Sequence, residues 1–226
     1  MIEADNRKFW EARYAAGQQQ RYPWDSVVSF LFRYMPKDRE RRDVKVLEVG
    51  SGTGANLWFA AREGFSVTGI EISATAVQSA RDRFQAESLE GEFVVGDFTK
   101  LPFDDASFDL IFDRASLTSA TYDKIEMAVR EVTRVAKAGA HFFFNPYADS
   151  HSGFHHAGQI VGRTALDITK GSLAGIKQCS FVSASDIRTL LDPDWQLLSL
   201  RRVELTDMMI ADASIHAEWR VVARRR

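Results

Sequence analysis

The run Val46-Leu47-Glu48-Val49-Gly50-Ser51-Gly52-Thr53-Gly54 constrains the fold more than any other part of the chain. Its apolar first half has the length of a strand. Its second half places glycine at alternate positions, where a backbone must turn through positive φ or let a ligand come close. Residues 55–63 then follow a helical pattern that ends at Gly64. A strand feeding a helix through such a turn commits the chain to an α/β fold and opens a nucleotide-sized notch at the helix N-terminus. Glu71 lies 21 residues beyond Gly50, at the end of a second apolar run, Phe65 to Ile70. An acid there can accept hydrogen bonds from ribose hydroxyls. The pair of features is far more specific than a glycine cluster alone.

The same alternation continues. A helix is expected from about Ala74 to Glu87, then strands at Phe93 to Val95, Phe108 to Phe112 and His141 to Phe144. Between the last two, Lys124 to Lys137 carries an apolar stripe at Ile125, Ala128, Val129, Val132 and Val135, with Gly139 as its stop. Ahead of the first strand, residues 5–16 read as a helix ending at Gly17, with Trp10 and Tyr14 four apart on one face. A second helix runs from Val27 to Tyr34, capped by Asp25 or Ser26. After a glycine-bearing connector come a helix at Ser185 to Leu191 and two strand-like runs, Leu197 to Leu205 and Ile215 to Ala223, which pair at the far edge. The expected architecture is a Rossmann-like doubly wound sheet of seven strands. It is mostly parallel, with an antiparallel strand at the C-terminal edge. One domain would span 1–226: a helical cap (1–40), a cofactor-binding core (41–147), a substrate-side connector (148–182) and the terminal helix and strands (183–226).

Composition enters as exclusion. Lys plus Arg total 29 against 31 Asp plus Glu, a net charge of -2 over 226 residues. A dedicated nucleic-acid binder carries a basic excess, so none is expected as partner. The single cysteine, Cys179, permits no intrachain disulfide and fits a reducing compartment. Charges at Glu3, Asp5, Arg7 and Lys8 interrupt any signal-peptide pattern, and no apolar run reaches membrane-span length. The expectation is a cytoplasmic protein, monomer or homodimer.

The nucleotide can be narrowed. The dinucleotide fingerprint is G-x-G-x-x-G, whereas this loop is G-x-G-x-G. Glu48 stands two residues before the first glycine. A carboxylate there suits a ligand bearing an ammonium or sulfonium charge, S-adenosylmethionine rather than NAD. The segment Glu48 to Gly54 indeed resembles the first motif of class I S-adenosylmethionine-dependent methyltransferases, and Glu71 matches their ribose acid. Gly96-Asp97-Phe98 matches the position after the third strand, where an Asp meets the adenine amino group. Leu101-Pro102-Phe103-Asp104-Asp105-Ala106-Ser107-Phe108-Asp109-Leu110 is similar to the small-molecule group typified by ubiquinone and menaquinone biosynthesis enzymes. The N-terminal Phe-Trp-Glu-Ala-Arg-Tyr and Tyr-Pro-Trp-Asp segments are loosely similar to thiopurine-type methyltransferases. Ala138-Gly139-Ala140 departs from the usual Pro-Gly-Gly turn. The resemblance implies a methyl transfer to a small molecule, with Glu48, Gly50, Ser51, Gly52, Thr53, Gly54, Glu71, Ile72, Asp97 and Phe98 as the cofactor set. Asp113 and Trp24 complete that set. A protein or nucleic-acid acceptor, a catalytically silent binding protein and an NAD-dependent reductase are the alternatives.

The acceptor should lie beyond the ends of strands four and five, at Asp113, Arg114, Asn145, Pro146 and Tyr147. Asp113 and Arg114 would orient it, pair with one another, or cap the next helix. Tyr147 and His151 join them as catalytic candidates, His151 as a general base for a hydroxyl. His151, His155 and His156 otherwise read as exposed loop residues; no carboxylate set completes a metal site around them. His216 reads as a strand-face residue. Trp10, Tyr14, Tyr22 and Trp24 form either a packed face or a lid whose rings attract a sulfonium and exclude water.

Overall fold

A computed structural model of the chain describes residues 2–209 and 214–226, with side chains from Asn6 onward. Two helices lead, α1 (Ile2–Ala15) and α2 (Asp25–Tyr34). Then β1 (Lys45–Val49), α3 (Ala55–Arg62), β2 (Ser66–Glu71), α4 (Ala74–Ala86) and β3 (Glu92–Val95) follow in the expected alternation. β4 (Phe108–Arg114), α5 (Tyr122–Val135) and β5 (Ala136–Asn145) complete the parallel part. The connector holds a short helix, α6 (Ser152–His155), and three strands, β6 (Ala157–Val161), β7 (Thr164–Ile168) and β8 (Gln178–Ser180). The chain ends with α7 (Ala184–Leu191), β9 (Trp195–Thr206) and β10 (Ile215–Arg225).

The main sheet has seven strands in the order β3-β2-β1-β4-β5-β10-β9. The first five run parallel, and β10 is antiparallel both to β5 and to β9. The reversed strand is therefore one place in from the edge. The hairpin inserts its second strand against β5 and leaves its first outermost.

Side-chain alternation explains why helices cover both faces. Leu47, Ile111, Phe142 and Phe144 point to one face, against α5 (Ile125, Ala128, Val132) and α7 (Ile187, Leu191). Val46, Leu110, Phe112 and Phe143 point to the other, against α2 (Val27, Phe30), α3 (Leu57) and α4 (Val77, Phe84). Each large side chain so buried is worth about 1.5–3 kcal/mol of transfer free energy.

Three sequence expectations need correction. Trp24, not Asp25 or Ser26, is the N-cap of α2. Its carbonyl accepts from Val27 and Val28 while its own N–H is taken by the Asn56 side chain. Gly139 does not stop α5, which ends at Val135 and passes directly into β5. Gly139 instead sits in an irregularity of the β4–β5 ladder, where register jumps from Phe108↔Ala136 to Leu110↔His141. Its φ of 78° is one that a side chain would strain. The connector is not a bare loop: β6, β7 and β8 make a second antiparallel sheet with its own apolar cluster of Ala165, Ile168, Leu173, Cys179 and Phe181.

Candidate active site

The glycine loop closes the C-terminal end of β1. The N–H groups of Gly50 and Ser51 both donate to the Ile70 carbonyl, at 2.8 and 3.0 Å, which folds the loop toward β2. Glu71 then fastens it: Oε2 accepts from Gly52 N–H at 3.0 Å, and Oε1 accepts from Ser73 N–H at 3.0 Å. At Gly50 no other residue fits. Its φ is 71°, and a Cβ there would lie 2.3 Å from Ser116 Cβ.

Beneath the loop lie two more buried acids. Glu48 Oε1 accepts from Asn56 Nδ2 at 2.7 Å. Asp113 Oδ1 accepts from Ser116 N–H, Ser116 Oγ and Leu117 N–H at 2.8, 2.6 and 3.0 Å. Glu48 Oε2 and Asp113 Oδ2 have no hydrogen-bond partner among the described residues. Burial pushes all three carboxyls up, Asp113 to about 6. Glu48 is raised further by the neighbouring Asp113 and Glu71. Three acids crowd behind one loop, two of them with an unpartnered oxygen, and burial and mutual repulsion oppose their ionisation. A sulfonium or ammonium group above the loop relieves that repulsion, whereas a pyrophosphate adds to it.

A cavity of about 790 Å³ opens beside this loop. Gly50, Glu71, Ile72, Gly96, Asp97 and Phe98 line one end. Asp97 Oδ1 accepts from both the N–H and the hydroxyl of Thr99, at 2.8 Å each, which fixes the carboxylate at the end of β3. Helix α1 forms the roof with Asn6, Trp10 and Tyr14. Tyr14 Oη is 2.8 Å from where a Cβ on Gly52 would stand, so roof and loop are in contact. The roof is anchored by Glu11, which accepts from the Ser73 hydroxyl at 2.6 Å and from the Thr75 hydroxyl at the start of α4. Asn6 adds a bond to the Ser119 carbonyl at 2.9 Å.

The far end is charged. The Arg114 guanidinium lies 4.0 Å over the Trp24 ring and 3.2 Å from Glu218 Oε2. Glu218 Oε1 pairs with Arg220 at 2.9 Å, and Arg220 reaches Asp25 at 3.6 Å. Burial opposes the Glu218 charge, but the His216, Arg114 and Arg220 contacts outweigh it and hold the carboxyl down at about 2. Tyr147 and His216 line this end too.

The structure thus gathers Gly50, Glu71, Ile72, Asp97, Phe98, Trp24, Arg114 and Tyr147 around one cavity. Glu48, Ser51, Gly52, Thr53 and Gly54 lie in the cradle behind its wall. Asp113 is wholly buried and committed to the turn at Ser116 and Leu117. His151 is buried behind Tyr147 rather than on the wall, and His155 is exposed. Among the described residues no group of three or more His, Cys, Asp or Glu could hold a metal. His216, Glu218 and Arg220 were not among the sequence candidates. Their signal was present: three polar residues at every second position of a strand share one face.

Comparison with known proteins finds likenesses for the core. Residues 46–139 match a family described as "Methyltransferase domain". The matched stretch is similar to a methyltransferase domain. S-adenosylmethionine is the methyl donor that this likeness implies. The chain is 30% identical over 174 residues to a sterol methyltransferase-like protein of Botryococcus braunii, covering 69% of this chain and 44% of that protein. It is 32% identical over 152 residues to a malonyl-[acyl-carrier protein] O-methyltransferase of Erwinia pyrifoliae, covering 66% and 55%. It therefore spans about half the length of these relatives. A solved S-adenosylmethionine-dependent methyltransferase from Methanosarcina mazei superposes with a TM-score of 0.71 at 23% identity, covering 87% of this chain and 96% of that one. The main sheet and its flanking helices thus share that protein's fold. No described helix is long and apolar enough to cross a membrane.

Proposed function

We propose that the chain is an S-adenosylmethionine-dependent methyltransferase acting on a small-molecule acceptor. The observation that carries this reading is Glu71. It ties the glycine loop in place while facing a cavity whose opposite end bears a separate set of charged and aromatic groups. One end is suited to a nucleoside, the other to an acceptor.

When bound, the donor supplies an electrophilic methyl group on a positively charged sulfur. The residues of this chain do the rest. Glu71 accepts from the ribose hydroxyls, with Ile72 beside it. Asp97 and Phe98 take the adenine edge and face. Glu48 and Asp113 sit behind the loop, where a cation favours their charged forms. Trp10, Tyr14 and Trp24 cover the cleft, exclude water and offer ring faces to a cation. Positioning alone can supply much of the acceleration of a direct displacement. The segment Leu101 to Leu110 supports kinship with the ubiquinone and menaquinone biosynthesis type. Relatives named for fatty-acid and malonyl-[acyl-carrier protein] O-methylation support a small acceptor.

The test is turnover. Purified chain is incubated with S-adenosylmethionine and a panel of hydroxylated, amino and thiol metabolites, and S-adenosylhomocysteine formation is followed. Acceptor-dependent product is the expected result. Formation of none across the panel by a donor-binding chain would favour a silent binding protein.

A further inference from the structure

The three residues of β10 that face the cavity are joined to a hydroxyl-imidazole cluster, the exposed Ser172 and the buried His151, that the donor site does not use. His216 Nδ1 lies 2.8 Å from Ser172 Oγ and 3.3 Å from His151 Nε2. Ser172 Oγ is also 3.3 Å from His151 Nε2. On its other side, His216 Nε2 stands 3.9 Å from Glu218 Oε2. His216 is partly open to the cavity, whereas His151 is 1% exposed.

The proton positions can be worked out from the outside in. His151 Nδ1 accepts the Gly153 N–H at 2.9 Å, so it carries no proton. A neutral imidazole has a single N–H, which must then be on Nε2. Burial, with His216 and His156 nearby, holds the His151 imidazole down at about 4, so it stays neutral near pH 7. His151 is therefore a fixed donor, with Ser172 Oγ and His216 Nδ1 both 3.3 Å from its Nε2. The Ser172 oxygen can accept from His151 Nε2–H and from His216 Nδ1–H together. When Ser172 accepts both hydrogen bonds, the His216 Nε2 lone pair faces the cavity, 3.9 Å from Glu218 Oε2.

We propose that His216 removes the acceptor's proton, and that the acceptor is a hydroxyl compound. The proposal rests on the methyltransferase reading above. The acceptor oxygen forms a bond to the methyl carbon as the carbon–sulfur bond breaks. The electron pair of that bond stays on sulfur, which becomes a neutral thioether. The O–H proton goes to His216 Nε2 and later to solvent. Glu218 stabilises the imidazolium, and Ser172 and His151 fix the ring. Other groups argue for oxygen over an ammonium. The Arg114 and Arg220 guanidiniums flank the single Glu218 carboxylate, so this wall favours developing negative charge; Asp25 meets only the outer side of Arg220. Tyr147, edge-on to both imidazoles at 5.3 and 5.5 Å, is itself no base, because burial raises its phenol further from neutrality.

Two readouts test this on the full chain. Without donor, the His216 imidazole is titrated by NMR in wild type and in Glu218→Gln. A downward move of its midpoint in the variant is expected; an unchanged midpoint would overturn the role given to Glu218. With donor and a panel of phenols and primary alcohols, His216→Asn should lower kcat by about 10²–10⁴-fold with donor affinity unchanged by calorimetry. The wild-type rate should fall as pH drops through the midpoint found by NMR, and added imidazole should restore activity to His216→Ala. A donor-binding His216→Asn that turns over at the wild-type rate with a wild-type pH profile would overturn the proposal alone. Failure of wild type to bind donor would overturn it together with the methyltransferase reading.

Discussion

At the scale of single residues, the donor cradle is set by steric exclusion and by hydrogen-bond accounting. Gly50 has both a positive φ and Ser116 pressed against it. Gly50→Ala must strain the backbone and displace Ser116, whose hydroxyl donates to Val49 O and Asp113. The variant should lose about 1–3 kcal/mol of stability by urea unfolding, and donor affinity with it. Glycine spacing and Glu71 were legible in the sequence, because a turn and its acidic partner are encoded by local residue types. For Asp113 the sequence leaves substrate orientation, an ion pair and a helix cap open together; the traced turn shows the cap, the side chain accepting from the N–H groups of Ser116 and Leu117. His216 was read as a strand-face residue, and so it is. Which face, and what that face meets, depends on β10 pairing with β5, a contact between residues far apart in the chain.

At the scale of elements, the fold was legible where the period was strong. α5 shows its stripe plainly, and each of its buried residues matches the expected one. The small sheet of β6 to β8 was missed. β6 is almost entirely exposed and lacks the alternation that marks a half-buried strand. Gly139 was mistaken for a helix stop because positive φ serves a bulge as readily as a helix end. The roof helix α1 is held mainly by polar latches rather than by a deep apolar face. Glu11 carries two of them, and its hydrogen bonds to Ser73 and Thr75 keep its carboxyl below the ordinary range. Glu11→Ala should leave the sheet intact but speed donor release several-fold, measured by stopped-flow fluorescence of Trp10 and its neighbours. Unchanged release would mean that α1 is held by its rings alone.

At the scale of the whole molecule, near-neutral net charge conceals a strong internal asymmetry. Asp109, though buried, is held below the ordinary range by Lys137, the Lys45 N–H and Arg39. Its stabilising contribution is present above its unfolded pKa and is lost as pH falls through the lowered folded one. Asp113 behaves oppositely. Its folded pKa of about 6 lies above the unfolded value of 3.8. Its contribution is complete below about pH 4 and is lost as pH rises through about 6. The loss amounts to about 3 kcal/mol. The melting temperature of the ligand-free protein should therefore decline between about pH 4 and 6.5. Asp113→Asn should flatten that decline; an equally steep curve would show that the carboxyl is not the source.

The same buried acids bear on the central claim, that Glu71 and the glycine loop hold a cationic nucleoside donor. Calorimetric titration of the full chain with S-adenosylmethionine tests it most directly, in wild type and in Glu71→Ala. Wild type should bind one equivalent. The variant should bind about 10–100-fold more weakly, as expected for loss of a charged acceptor to two hydroxyls. No heat of binding in wild type, or equal affinity in the two proteins, would contradict the account.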